Sequence, residues 1–298
     1  MLDKIVIASA LSAGMLSARP FVLGWDESFA FASHSSGQGF DRTPGDLEVS
    51  DYQIRALYPR PVVQWGSFSI QPAVDYRATV FQFNNVPTSI PVDKNHLESF
   101  NVYPSTLEFS ALALSIGSDS RWMFGAWVMS GLATDFRNVD ADDLTFDFAT
   151  GVGYRFSDSL SAGFGAALTD LSAETGFLPG IGLDWQVSDR IRIGICGPSC
   201  GVTFSPDENW QISLRGDSSG ETWNITDGQG QSRYLDFTSY KIGLFASRRL
   251  TGQIRLSAGA GVTFANQIGL ARSNGDTLLE QRLDSGFFGQ IGLTLTTW

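Results

Sequence analysis

Over residues 252–264, GQIRLSAGAGVTF, every even position from Ile254 through Leu256, Ala258, Ala260 and Val262 to Phe264 is apolar. The odd positions between them, Gln253, Arg255, Ser257, Gly259, Gly261 and Thr263, are polar or tiny. A period of two puts these sets on opposite faces of a strand, whereas a helix would mix them around its circumference. The run exceeds the about five or six residues of a common strand. It suits a tilted strand crossing a bilayer, which takes roughly nine to eleven residues. Arg255 on the polar face sets that face against water, because a dry core would strand its charge.

The same alternation recurs along the chain. Phe68, Ile70, Val74, Tyr76, Ala78 and Val80 share one face of residues 67–83, with Pro72 marking a bulge or strand end. Residues 106–116 change phase midway, which reads as a bulge. Trp122, Phe124, Ala126 and Val128 line the next strand, and Phe146, Phe148, Val152, Tyr154 and Phe156 the one after. Further strands follow through residues 160–168, 177–187, 191–195, 202–204, 210–214 and 240–246 to the opening run, and the last is 287–298. Tight turns near 118, 157, 188, 207 and 251 alternate with longer polar stretches near 90, 140, 172, 225 and 275. Residues 217–233 read as a polar excursion, and another loop precedes Phe287.

Short turns at one end and long connections at the other are the habit of outer-membrane barrels. The polar faces carry Asp75, Arg77, Asp147, Arg155, Asp184, Arg192, Arg215, Lys241 and Arg255. A sandwich core could not bury these unpaired, while a wet lumen takes them and lipid takes the apolar row. The fold class is therefore all-β: a single antiparallel up-and-down transmembrane β-barrel of about 14 strands. Twelve results if the short pair flanking Gly197, Pro198 and Ser199 is not formed.

Composition narrows the function. Mean hydropathy near zero excludes a bundle of membrane helices, and a net charge of −11 argues against nucleic acid as a partner. No zinc spacing, phosphate-binding glycine loop or dinucleotide fingerprint occurs, so no cofactor is expected. Residues 1–18 read as a signal peptide: Lys4, an apolar run over 5–15, and small residues at 17–18. The barrel domain then spans 19–298, and its location is the bacterial outer membrane. Its expected partners are outer-membrane lipid, the barrel assembly machinery and small solutes or ions.

Trp298 resembles the terminal aromatic that assembly machinery reads, although Leu295, Leu293 and Ile291 stand one step out of phase with it. Residues 146–227 resemble a family of predicted bacterial outer-membrane β-barrel proteins of unknown function. The resemblance rests on Gly153-Tyr154-Arg155-Phe156 before a Ser-Asp turn, on Pro179 to Gly182 leading to Asp184-Trp185, and on Asp189, Pro198 and Asn209-Trp210. It implies an architecture and brings no catalytic residues.

Cys196 and Cys200 flank a turn, which outside the cytoplasm makes a disulfide a candidate. His34 and His96 are the only conventional bases, and both fall near predicted outer loops with no nucleophile motif beside them. The expectation is that the chain is not an enzyme. Asp140, Asp142 and Asp143 form either a cation-binding loop or a solvated acidic one. Trp122, Tyr154, Trp185, Trp210 and Trp298 read as an interface girdle. The interior charges either sort solutes by charge or fill a narrow barrel with salt bridges. The function expected is a passive, porin-like or small-solute channel. The alternatives are a structural or surface-binding barrel with a plugged lumen and, further off, a hydrolase at the rim.

Overall fold

The computed structural model describes residues 27–36, 48–59, 63–65, 68–70, 73–84, 105–110, 114–116, 121–171, 174–197, 199–227, 229–252 and 254–295. The segment expected as a signal peptide, the stretch containing His96, and Trp298 lie outside them. The strands in chain order are β1 (Glu27–Ser36), β2 (Glu48–Pro59), β3 (Val63–Trp65), β4 (Phe68–Ile70), β5 (Ala73–Asn84) and β6 (Ser105–Ser110). They continue with β7 (Leu114–Ile116), β8 (Trp122–Thr134), β9 (Leu144–Ser157), β10 (Leu160–Leu171), β11 (Glu174–Ser188) and β12 (Ile191–Cys196). The last six are β13 (Ser199–Phe204), β14 (Trp210–Thr226), β15 (Ser232–Arg249), β16 (Ile254–Arg272), β17 (Thr277–Leu283) and β18 (Gly286–Leu295).

Neighbours in sequence pair antiparallel, and β18 pairs with both β16 and β1, so the pairings return to their start. Four interruptions do not create new staves: β2 with β3, β4 with β5, β6 with β7 and β17 with β18 each run end to end along shared partners. The eighteen segments of the sheet thus form fourteen staves. Pro72, between β4 and β5, and residues 111–113, where the phase of 106–116 changes, lie outside the described residues. The pair β12 and β13, on which the count turned, is formed in full register. The ring is closed through β12 and β13 up to Gly182 and Cys196, and above them β11 from Glu174 to Gly180 pairs with β10 alone among the described strands.

Outward-facing apolar side chains are uncovered: Phe164, Phe177, Ile181 and Leu244 are all at least 60% exposed. A water-soluble chain rarely leaves so continuous a belt bare. Toward the inside, glycines permit two tight bends in the wall. A Cβ on Gly163 or Gly165 would lie 2.5 Å from the Val152 carbonyl oxygen or 2.4 Å from that of Thr150. One on Gly261 would lie 2.1 Å from the Ile242 oxygen. On the concave side of a sharply curved sheet the Cβ positions converge on the next strand, and only hydrogen fits.

The polar excursion expected over 217–233 is instead strand: β14 runs to Thr226 and β15 resumes at Ser232. Likewise β16 continues past Phe264 to Arg272 and pairs with β17. The alternation hid this because its sense inverts partway up. On β16 the odd residues are the shielded ones up to Thr263, and from Asn266 the even ones are. The switch falls at Ala265, whose φ of 49° is left-handed. There Ser239 of β15 faces two residues of β16, a bulge that turns every later side chain to the other face. Asn266 ties the bulge down, its amide donating to the Thr263 hydroxyl at 3.0 Å and the Asp284 carbonyl at 2.7 Å. The Ser239 hydroxyl donates to the Asn266 Oδ1 at 2.7 Å.

Above the bulge Ile268 and Leu270 point inward and join apolar residues of the neighbouring inward rows in the main buried core. It comprises Phe81 (β5), Ala133 (β8), Trp223 and Ile225 (β14), Leu235 (β15), Ile268 and Leu270 (β16) and Leu283 (β17). Phe81 and Ile268 have no exposed surface at all. Strand β5 lies nearly opposite β14 in the ring, so this core spans the mouth.

Candidate functional site: the barrel interior

Asp75, Arg77, Asp147, Arg155, Asp184, Arg192, Arg215, Lys241 and Arg255 alternate along their strands with the exposed apolar row. At the capped end, Arg77 donates through Nε and Nη2 to the Asp75 Oδ2 at 3.2 and 2.9 Å. Its Nη1 lies 3.9 Å from the Glu221 Oε1 of β14 on the far wall. Asp75 and Arg77 are buried. Next to them Phe81 meets Trp223 and Phe237 edge-on, with ring centroids 5.5 and 5.2 Å apart. The interior is thus bridged by an ion pair and an aromatic cluster, both reaching from β5 to the β14–β15 hairpin.

Nearer the short turns the charges pair locally. Arg192 on β12 forms a two-pronged bond to Asp184 on β11, at 2.6 and 2.7 Å. The guanidinium of Arg215 stands 4.9 Å from the centre of the Phe245 ring, and its Nε donates to the Ser213 hydroxyl at 2.8 Å. Lys241 lies over Phe288 at 5.9 Å, and Arg255 donates to the Ser247 hydroxyl at 3.2 Å. Asp147 and Arg155 occupy the inward register of β9, level with Met129 and Ser161. Asp184 and Arg192 are thus neighbours on adjacent strands rather than facing charges across the lumen, and Asp75 and Arg77 share one strand.

A polar latch fastens the cap. The Asp135 amide donates to the Asn224 carbonyl at 3.2 Å, and the Thr226 amide to the Asp135 Oδ2 at 2.9 Å. The Ser232 hydroxyl donates to the Asn224 Oδ1 at 2.6 Å. Thr134 and Asn224 meet as a single parallel bridge between β8 and β14. Of the three acidic loop residues, Asp140 caps the short 3-10 turn Ala141–Asp143. Its Oδ1 accepts from the Asp142 amide at 2.9 Å, while Asp143 Oδ2 accepts from the Asp140 amide at 3.0 Å. These carboxylates serve the backbone, and among the described residues no three His, Cys, Asp or Glu converge as metal ligands. Asp143 is fully buried beneath the latch. Desolvation raises its pKa above the ordinary 3.8, against the lowering effect of the Asp140 amide and the nearby Thr134 and Asn224 side chains.

Cys196 and Cys200 do not form the candidate disulfide. The hairpin register pairs Cys196 with Ser199 and Cys200 with Ile195, so the two thiols point to opposite faces of the wall. His34 lies within β1, two residues from its end at Ser36, level with Tyr52 and Gly289. Trp122, Trp185 and Trp210 are exposed on the outside near the short-turn rim. Tyr154 packs edge-on against Trp122 at 5.0 Å, and Arg248 covers Trp210 at 5.3 Å. Phe81, Trp223, Leu235, Phe237 and Ile268 do not stand out as a group in the sequence. The available signal was the spacing of two in Trp223 and Ile225 and again in Leu235 and Phe237.

Closure of the ring, the bare apolar outside and the charged inward rows define an antiparallel β-barrel of the class whose strands span a membrane. The chain belongs to the family described as a domain of unknown function, DUF6268, whose model matches residues 110–295. No curated protein matches the sequence. Among solved structures it is similar to the NanC porin, at 8% identity and a TM-score of 0.39 over 90% of this chain and 98% of that one. It is also similar to the KdgM porin solved with disordered oligogalacturonate, at 6% identity and a TM-score of 0.39 over the same shares of the two chains, 90% and 98%. A third is the toluene transporter TodX of Pseudomonas putida, at 10% identity and 0.35 over 96% of each chain. These likenesses are to fold, and no functional argument is taken from them.

Proposed function

We propose that the protein is a bacterial outer-membrane barrel that admits small solutes to a narrow interior, with the cap barring straight passage through the mouth. The observation that carries this reading is the contact of β5 with β14 and β15 across the barrel, Phe81 against Trp223 and Phe237. Burying a large apolar side chain contributes about 1.5–3 kcal/mol. The eight-residue core therefore resists opening by roughly 10–20 kcal/mol, far more than thermal motion supplies. A cap of that strength is a fixed constriction and not a gate. The ion-paired interior below it supports entry of small polar species from the short-turn end. Outer-membrane lipid and the assembly machinery are the other partners of this reading, and no residue is assigned a catalytic role.

The test is current through planar bilayers, comparing the native chain with one in which residues 221–236 are replaced by a tight turn. The native barrel should conduct weakly and the shortened one strongly. A large steady current from the native barrel would refute the cap as a constriction. No current from either would favour the second reading, a structural or surface-binding barrel with a filled lumen, for which the local Asp184–Arg192 and Asp75–Arg77 pairs also speak.

A further inference from the structure

The wall is not of even height. Strands β12 and β13 have six residues each, while β14, β15 and β16 have 17, 18 and 19. Six residues rise about 15 Å along the membrane normal, at roughly 3.3 Å each and a tilt near 40°, against an apolar band about 25 Å tall. The band itself does not stop at that level. On β11 the outward row continues from Trp185 through Ile181 to Phe177, and on β10 through Phe164 to Leu168, all exposed. Between β11 and β14 the hairpin is thus about 10 Å shorter than such a band.

The pairings describe the same gap. The top of β11 against β12 is Gly182 opposite Cys196, with the Gly197 amide donating to the Ile181 carbonyl at 2.9 Å. From Glu174 to Gly180, β11 pairs only with β10 among the described strands. On the far side β13 leaves β14 at Gly216, and the remainder of β14 leans inward to its bridge with β8. The same row of β14 changes at this height from the exposed Trp210, Ile212 and Leu214 to Gly216, the buried Ser218, Gly220 and Thr222, the composition of a strand that has left the lipid.

Behind the gap lies a cavity along the wall from β8 to β12. Met123, Leu178 and Cys196 reach it from the inward face, Val152, Phe164 and Ile181 border it from positions whose side chains face out, and the rest of its lining is glycine, alanine and Pro179. None of these residues is charged. An ionised guest would be stranded there, whereas an apolar one meets surfaces continuous with the bilayer interior.

We propose that the barrel wall is breached between β11 and β14 within the outer half of the membrane. Through this breach the cavity exchanges a small uncharged apolar molecule with the hydrocarbon of the lipid. The inference rests on the capped-barrel reading: with the mouth closed by packed core, a sideways path is the one that remains at this level. It adds a substrate class, since ions and polar solutes keep to the paired interior and apolar ones use the wall.

Cys196 reports on the cavity because it lines it, and Cys200→Ser leaves Cys196 as the single thiol. The protein in lipid vesicles is treated with N-phenylmaleimide or with a negatively charged, membrane-impermeant thiosulfonate. The uncharged reagent should label Cys196 and the charged one should not. Naphthalene in the bilayer should slow the labelling several-fold. Gly180→Leu should do the same, since a Cβ at Gly180 meets nothing nearer than the Gly197 Cα at 3.8 Å and the leucine fills the cavity without displacing backbone. Equal labelling by the charged reagent, no labelling by either, or no protection by naphthalene would each overturn the breach. If Gly180→Leu does not fold, naphthalene protection of the Cys200→Ser protein decides alone. The bilayer current is scored apart: a barrel that passes the thiol test and conducts nothing keeps the breach and loses the polar channel, and the opposite pair of results does the reverse.

Discussion

Phe81→Ala is the sharpest probe of the cap. The ring is fully buried, meets Trp223 and Phe237 edge-on, and is the contribution of β5 to a core otherwise built mostly from the opposite hairpins. Truncating a phenylalanine in such a site costs about 3–5 kcal/mol, part lost transfer and part unfilled cavity. That cost falls on the tips of β14 and β15, not on the wall below the Ala265 bulge, whose backbone bonds and lipid contacts do not involve Phe81. Hydrogen exchange should separate the two. Amides of residues 221–236 should exchange roughly 100- to 3,000-fold faster in the variant, since each 1.4 kcal/mol is tenfold in the opening equilibrium. Amides of residues 241–247 and 256–262 should keep their native rates. Unchanged rates at the tips would mean that Phe81 does not hold the cap. Equal acceleration everywhere would mean that cap and wall open as one unit, and the reasoning would fail.

Arg77→Ala removes the cation beside two carboxylates, Asp75 and Glu221. It should lower stability by about 3–5 kcal/mol in urea unfolding from detergent micelles, and adding Asp75→Asn should return part of the loss. The raised pKa of Asp143 means the folded form holds its proton more tightly than the unfolded one. Its stabilising effect is full below the ordinary carboxylate pKa and is lost as pH rises through the raised value. The melting temperature of the native protein should therefore fall relative to that of Asp143→Asn as pH rises to neutrality, and parallel pH profiles would contradict this. Gly261→Ala has no room, its Cβ landing 2.1 Å from the Ile242 oxygen and 2.5 Å from the Gly243 Cα, and should abolish the heat-modifiable folded band on gels. Gly194→Ala, with nothing within 4 Å, should leave that band intact.

What could be read from the chain was whatever obeys a period of two against two uniform surroundings. The opening stave, the charged inward row and the staves on either side of the Ser157 and Ser188 turns all do so, because lipid and water sort side chains without further help. The cap could not be read that way. Beyond Gly216 the row of β14 that starts at Trp210 stops being apolar, and the inward row changes from Arg215 and Asp217 to Trp223 and Ile225, so the expected contrast vanishes and then inverts. A pattern rule sees a polar excursion there, whereas a long-range contact with Phe81 makes it core. The cysteines failed for a related reason. Their separation of four tells that a turn lies between them, but only the register tells that Cys196 and Cys200 emerge on opposite faces.

The left-handed residue at Ala265 acts as a waterline. One extra amino acid there decides where grease stops facing the membrane and starts facing the protein's own kind. Shortening β16 by that residue would turn Ile268 and Leu270 outward, lift the lipid's grip by two further rows on this flank, and leave Phe81 and Trp223 roofless. Where the outward apolar row ends on this side of the molecule is thus set by a single insertion in the backbone.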